Sequence, residues 1–163
     1  MSVDGVISKD DHTSPMSWTS KEDKAHYVAQ TKKIGVLLKG ANTYKSAGAR
    51  SFPDRKLYVL THDPKQFEPQ ENVEFVSGIP PMVLARLEAD GVEHVALVGG
   101  ASVNGAYQKA GLVDDIYLTL EPKLFGRGMN LSGELDLEVD LQLKSIERLN
   151  NQGSIILHYQ VIK

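Results

Sequence analysis

Cysteine is absent from the 163 residues, which excludes disulfides, thiolate catalysis and cysteine-ligated zinc and fits a reducing compartment. Long hydrophobic runs are absent too. Stretches such as 34–38 and 155–157 fall far short of membrane-spanning length, and no charged-then-apolar leader is visible. Neither charge sign dominates: the net charge is −3 with Lys and Arg dispersed, which leaves no electrostatic footprint for nucleic acid. Aromatic residues are sparse at 7%, with one tryptophan, Trp18. What remains is the composition of a globular protein, 41% hydrophobic and 24% charged, without repeats or an interdomain linker. A chain of this size buries roughly 70% of its unfolded surface, enough for one core. The expectation is a single cytoplasmic domain spanning residues 1–163, a monomer or homodimer that handles a small molecule and binds neither membrane, nucleic acid nor metal.

Short apolar runs alternate with helical segments, the pattern of an α/β fold with a largely parallel sheet. Strands are expected at 35–38, 56–60, 73–75 and 94–98, and helices at 20–31, 81–89 and 102–110. The last third is β-rich over 115–121, 139–149 and 154–162, and the turn Asn150-Asn151-Gln152-Gly153 makes its final pair an antiparallel hairpin that closes the sheet. The polar segment 8–14 reads as a mobile surface loop.

Three constellations carry chemistry. Behind Trp18, Asp23, Tyr27 and Thr31 follow at steps of four, which places them in one stripe of a helix, and Ser20 three residues before Asp23 has the spacing of an N-cap. An acid in a first helical turn is also simply favoured by the helix dipole. Residues 95–104, Val-Ala-Leu-Val-Gly-Gly-Ala-Ser-Val-Asn, run from a buried strand through a glycine pair into a helix, where backbone can approach a ligand and free N–H groups favour phosphate. Gly40-Ala41-Asn42-Thr43 repeats the strand-to-helix arrangement, and Arg55 in Phe-Pro-Asp-Arg-Lys offers a fork that suits a carboxylate.

The ordered set Met16, Trp18, Asp23, Tyr27, Thr31, Gly40, Thr43, Arg55, Gly99, Gly100 and Thr119 resembles the dihydrofolate reductase family over about residues 3–121. The resemblance implies a three-layer α-β-α fold and hydride transfer from NADPH to C6 of dihydrofolate. It implies a substrate site of Val3, Asp23, Tyr27, Thr31, Arg55 and Thr119. There Asp23 anchors the pterin, Thr119 bonds its carboxylate, and Arg55 holds the glutamate tail. Trp18 would desolvate Asp23, and Met16 would act as a lid. The cofactor would lie along Gly40, Ala41, Asn42 and Thr43, along Leu60, Thr61 and His62, and along Val98, Gly99, Gly100, Ala101, Ser102 and Val103, with a cis peptide between the two central glycines.

Two departures matter. Ala41 stands where the family has the arginine beside the adenosine 2′-phosphate, so NADH is expected to compete, with Thr61, His62, Lys39 or Lys45 left to contact that group. Residues 1–7, Met-Ser-Val-Asp-Gly-Val-Ile, resemble only the end of the family's first strand, so a shortened strand is expected. From residue 121 the chain Glu-Pro-Lys-Leu-Phe-Gly-Arg-Gly-Met-Asn-Leu, with Ala-Gly-Leu-Val-Asp-Asp at 110–115, is instead similar to the reductase half of the riboflavin-biosynthesis deaminase/reductase. That similarity implies a ribosylaminouracil phosphate as substrate. A silent pterin- or nucleotide-binding relative is the third reading.

Overall fold

The computed structural model describes residues 1–9, 17–134 and 136–163. Met16, the expected lid, and positions 10–14 of the expected loop lie outside the described residues. Ser8, the expected start of that loop, instead ends a strand and is buried: β1 (Val6–Ser8) pairs antiparallel with the short β7 (Met129–Asn130), which the sequence pattern does not reveal.

Helix α1 (Lys21–Ile34) begins where expected, because the Ser20 hydroxyl accepts the Asp23 N–H at 3.1 Å. It runs three residues beyond the expected Thr31. Lys32 and Lys33 suit the negative end of its dipole, and Gly35, at φ 80°, turns the chain out of the helix while donating its N–H to the Thr31 carbonyl.

Strands β2 (Val36–Gly40), β3 (Lys56–Leu60), β4 (Val73–Val76) and β5 (Ala96–Leu97) form a parallel sheet in the order β4-β3-β2-β5. Of the expected 94–98 strand, only these two β5 residues keep the ladder. Alternation along β2 and β3 sends Leu37, Leu57 and Val59 toward Tyr27 of α1 and Tyr44 of α2 (Ala41–Ser46). Leu38 and Tyr58 point the other way, toward Val83 and Leu87 of α3 (Pro80–Ala89) and Tyr107 of α4 (Ala101–Lys109). These are the three layers, and the long crossovers, residues 41–55 between β2 and β3 and 61–72 between β3 and β4, let the strands run parallel. Strands β6 (Asp115–Leu120), β8 (Leu141–Arg148) and β9 (Ile155–Val161) form an antiparallel sheet in the order β6-β9-β8, with the expected hairpin between β8 and β9. Ser2 bridges in parallel to Glu121 at the end of β6. No helix among the described residues is long and apolar enough to cross a membrane.

The hydroxyl of Tyr107 on α4 is buried without a hydrogen-bond partner among the described residues, and burial pushes its phenol up to about 12. Removing a buried hydroxyl that satisfies nothing is close to neutral. Tyr107→Phe is expected to leave stability unchanged or raise it by up to ~1 kcal/mol in urea denaturation. A clear loss of stability would reveal a role for the hydroxyl.

Candidate active site

The stripe on α1 forms as the spacing requires, but its members do different things. Tyr27 packs into the core beside Leu37 and Tyr44, and burial holds its phenol above the ordinary tyrosine range against the opposing pull of Arg55. Thr31 is buried, and its hydroxyl donates to the Tyr27 carbonyl at 2.7 Å while accepting from Arg55 Nη1 at 2.6 Å. With both bonds made, Thr31 positions Arg55 rather than meeting a substrate itself. Asp23 is half-buried in the first turn, and its carboxylate accepts no hydrogen bond among the described residues. In particular, the expected bond from Thr119 is not formed. Thr119 sits in β6 opposite Ile156, and its hydroxyl has no partner among the described residues.

Trp18, just upstream, meets the Phe125 ring edge-on at 4.9 Å between centroids. Its indole N–H is buried without an acceptor among the described residues, and Nε2 of His26 on α1 is buried without a partner among them. Asp4 fixes the Phe125 side of this contact by accepting the N–H groups of Phe125 at 3.1 Å and Gly126 at 2.6 Å. Val3 is 60% exposed, and its N–H is taken by the Lys123 carbonyl at 2.9 Å. The substrate role expected of Val3 finds no support in this placement.

Glu121 was missed as a site residue by the sequence reading. Its buried carboxylate accepts the Ser20 N–H at 2.7 Å and the Ser154 hydroxyl at 2.6 Å. It therefore ties the N-cap of α1, and with it Asp23, to the ends of β6 and β9. Burial pushes its pKa up, but the Ser154 and Ser20 hydrogen bonds outweigh that and hold it below the ordinary glutamate range. An isolated acid closing an apolar strand is the only sequence signal for it.

A cationic cluster lies at the other end of the stripe. Arg55, only 7% exposed, lays its guanidinium 4.1 Å from the Phe52 ring centroid and donates through Nε to Asp54 at 3.1 Å. Asp54 also pairs with Lys32 at 2.8 Å, and the Lys32 hydrogen bond is the main reason its carboxyl lies below the ordinary range. Lys39 shares the Leu37 face of β2, is 5% exposed, and has its Nζ 5.7 Å from the Phe52 centroid. No carboxylate lies within ion-pair reach of Lys39 among the described residues. Burial, and then the Arg55 charge, push its ammonium below the ordinary lysine range. Arg55 and Lys32 thus share the Asp54 carboxylate, and Lys39 has none among the described residues.

The glycine segments meet at the carboxyl ends of β2 and β5. The Gly40 N–H donates to the Gly99 carbonyl at 2.8 Å, and the Gly99-Gly100 peptide is cis, as the resemblance implies. A Cβ on Gly100 would lie 2.8 Å from the Thr43 hydroxyl, and one on Gly40 would lie 2.9 Å from Val103. Only glycine lets α2 and α4 begin this close together. Both helices start with backbone N–H groups that no side chain caps, and neither carries an acid in its first turn. This chemistry fits a pyrophosphate, and Gly40, Thr43, Gly100, Ala101, Ser102 and Val103 would hold it. Ala41 packs against the core and Asn42 is exposed, while Val98 donates its N–H to Leu38 and so sets the glycine pair's height. At the end of β3, Leu60 is half-buried and His62 exposed. The Thr61 hydroxyl caps the next turn by accepting the Asp63 N–H at 3.3 Å. Lys39 points into the cluster beside Arg55, and Lys45 lies over Phe67 at 5.0 Å from the ring centroid.

Comparison with known proteins matches these features. Over its full length the chain is similar to the uncharacterised Bacillus subtilis protein YwjB, at 26% identity covering 98% of this chain and 92% of the relative. Its fold is similar to that of a pyrimidine reductase-like protein from Corynebacterium diphtheriae, with a TM-score of 0.81 at 17% identity, covering 99% of this chain and 89% of that one. It is also similar to dihydrofolate reductase from Enterococcus faecalis complexed with NADP(H) and RAB-propyl, with a TM-score of 0.75 at 24% identity, covering 99% of this chain and 92% of that one. Residues 49–154 match the RibD C-terminal domain. The dihydrofolate reductase reading of the sequence is therefore correct for the fold, and its riboflavin-pathway alternative is the better one for the family. This chain belongs to the RibD C-terminal domain family, a reductase family on the dihydrofolate reductase-like fold.

Proposed function

We propose that this protein is an NAD(P)H-dependent reductase of a phosphorylated ribosylaminopyrimidinone rather than of dihydrofolate. The observation that carries the reading is Lys39, a buried ammonium with no carboxylate partner beside the equally buried Arg55. A folate α-carboxylate brings one negative charge, which Arg55 alone would meet. A phosphate monoester brings about −1.5 to −2 near neutral pH and offsets both buried cations. The pyrimidine reductase-like neighbour and the family match support the same choice.

The reduced nicotinamide supplies the hydride. The chain's own residues would orient the acceptor: Asp23 takes the ring N–H groups and favours the protonated form of the carbon–nitrogen double bond. The Trp18 indole N–H offers a donor to a ring oxygen, and Lys39 with Arg55 anchors the phosphate at the far end of the α1 stripe. A steady-state assay with NADPH and both substrates tests the assignment. Turnover of the pyrimidinone phosphate is expected, and turnover of dihydrofolate alone would refute it.

Lys39→Met is expected to raise KM for the phosphorylated substrate by about 10- to 100-fold, the ~1.5–3 kcal/mol of a charged hydrogen bond, and to leave a dephosphorylated analogue unaffected. Because the Lys39 ammonium titrates below the ordinary lysine range, its contribution to phosphate binding is complete at lower pH. That contribution fades as pH rises through the lowered pKa. The parent enzyme's KM should therefore climb on the alkaline side, and the KM of Lys39→Met should not.

Cofactor choice gives a second measurement. With Ala41 in place of a cation and the Thr61 hydroxyl engaged in its turn, preference for NADPH over NADH is expected to be about tenfold, or ~1.4 kcal/mol. A preference above a thousandfold in kcat/KM would mean that another group reads the 2′-phosphate.

A further inference from the structure

The turn Asn150-Asn151-Gln152-Gly153 holds its backbone without help from the Asn150 side chain. Leu149 donates its N–H to the Ser154 carbonyl at 2.8 Å, and Arg148 donates from Nε to the Asn150 carbonyl at 2.9 Å and from Nη2 to that of Asn151 at 3.2 Å. The Asn150 amide is directed elsewhere. Its Oδ1 accepts the Ser154 N–H at 3.0 Å, which fixes the way the amide points. Nδ2 then donates to the Ser154 hydroxyl oxygen at 3.0 Å and to Glu22 Oε2, on the first turn of α1, at 3.3 Å.

These bonds close a circuit on that turn. With its oxygen accepting from Asn150, the Ser154 hydroxyl gives its hydrogen to Glu121 Oε2 at 2.6 Å, and Glu121 Oε1 takes the Ser20 N–H at 2.7 Å. Ser20 in turn caps the Asp23 N–H at 3.1 Å. One end of the circuit therefore grips the residue that caps Asp23, and the other grips the residue next to it. Ser154 and Glu121 are 1% and 2% exposed, so water competes little for these bonds. A buried polar network whose members are all paired holds them in one arrangement.

We infer that Asn150 is a positioning residue for Asp23, acting through Glu22 on one side and through Ser154, Glu121 and Ser20 on the other. The inference rests on the proposed reading in which Asp23 meets the acceptor ring; Asn150 itself touches neither substrate nor cofactor there. Displacing a reacting group by ~1 Å costs about 100-fold in rate.

Steady-state kinetics with NADPH and the pyrimidinone phosphate test this on the intact protein. Asn150→Ala should lower kcat by about 10- to 100-fold and leave KM for the cofactor unchanged. Asn150→Asp keeps the size and the acceptor for the Ser154 N–H but replaces the donor to Glu22 with a carboxylate oxygen, so it should lose as much. Asn151→Ala, at an exposed position of the same turn, should keep the parental rate. In the Asp23→Asn background, Asn150→Ala should cost no further rate, because residues acting as a unit are not additive. Parental kcat in Asn150→Ala, or an equal loss with and without the Asp23 carboxylate, would overturn the inference. Failure of the functional reading looks different: turnover of dihydrofolate alone changes the substrate and not the coupling, whereas parental kcat in Asp23→Asn removes both the mechanism and the inference. A readout without substrate completes the test. The carboxyl carbon resonance of Asp23 should move in Asn150→Ala and stay in place in Asn151→Ala, and an unmoved resonance would overturn the inference whatever the protein reduces.

Discussion

Turnover of Asp23→Asn is expected to fall by ~100- to 10,000-fold, the usual loss when a positioned acid–base group is removed. The capped first turn of α1 fixes the Asp23 backbone through the Ser20 hydroxyl. Its carboxylate spends no hydrogen bond on the protein among the described residues, so its acceptors remain free for a ligand. Asparagine keeps the size and the N-cap contact, which is made by the backbone, and removes only the charge. KM for the cofactor should change little, because Gly40, Gly99 and Gly100 stand on other elements. A variant with parental kcat would remove Asp23 from the mechanism.

Glu121→Ala is expected to cost about 2–5 kcal/mol, because it leaves the buried Ser20 N–H and Ser154 hydroxyl without their acceptor. Since the folded-state pKa of Glu121 is held below the ordinary value, its stabilising contribution is present above the unfolded carboxyl pKa of ~4.3. It is lost as pH falls through the lower folded value. Denaturation midpoints of parent and variant should therefore converge in acid. A constant gap down to the acid transition would mean that the bonds do not depend on charge.

The elements written in local pattern were legible. The serine cap and four-residue stripe gave α1, the apolar runs gave β3 and β4 within a residue, and the strand–glycine–helix order gave the meeting of Gly40 with Gly99. Where a residue's role is set by neighbours distant in sequence, pattern alone was insufficient. Thr31 looks like a pocket residue until Arg55 is brought against it, and Lys39 looks like one more strand-end cation until its burial without a carboxylate is seen. The same distinction bears on the proposed substrate. Asp23, the glycines and Thr43 belong to a scaffold common to two reductase families, so their order could not choose between them. The proposed choice rests on Lys39 of β2 lying buried near Arg55, which stands just before β3.

The carboxylate of Glu121 joins Ser20, 101 residues earlier in the chain, to Ser154, 33 residues later. Contacts that close such long loops form only after the chain between them has been ordered. The Ser20–Glu121 contact, the longer of the two, is therefore expected late in assembly, after the nearer β2–β3 and β3–β4 pairs and the β8–β9 hairpin have formed. Weakening it should leave the folding rate almost untouched and accelerate unfolding instead. The lifetime of the native state, more than the speed of reaching it, is thus expected to depend on the junction that holds Asp23 in place.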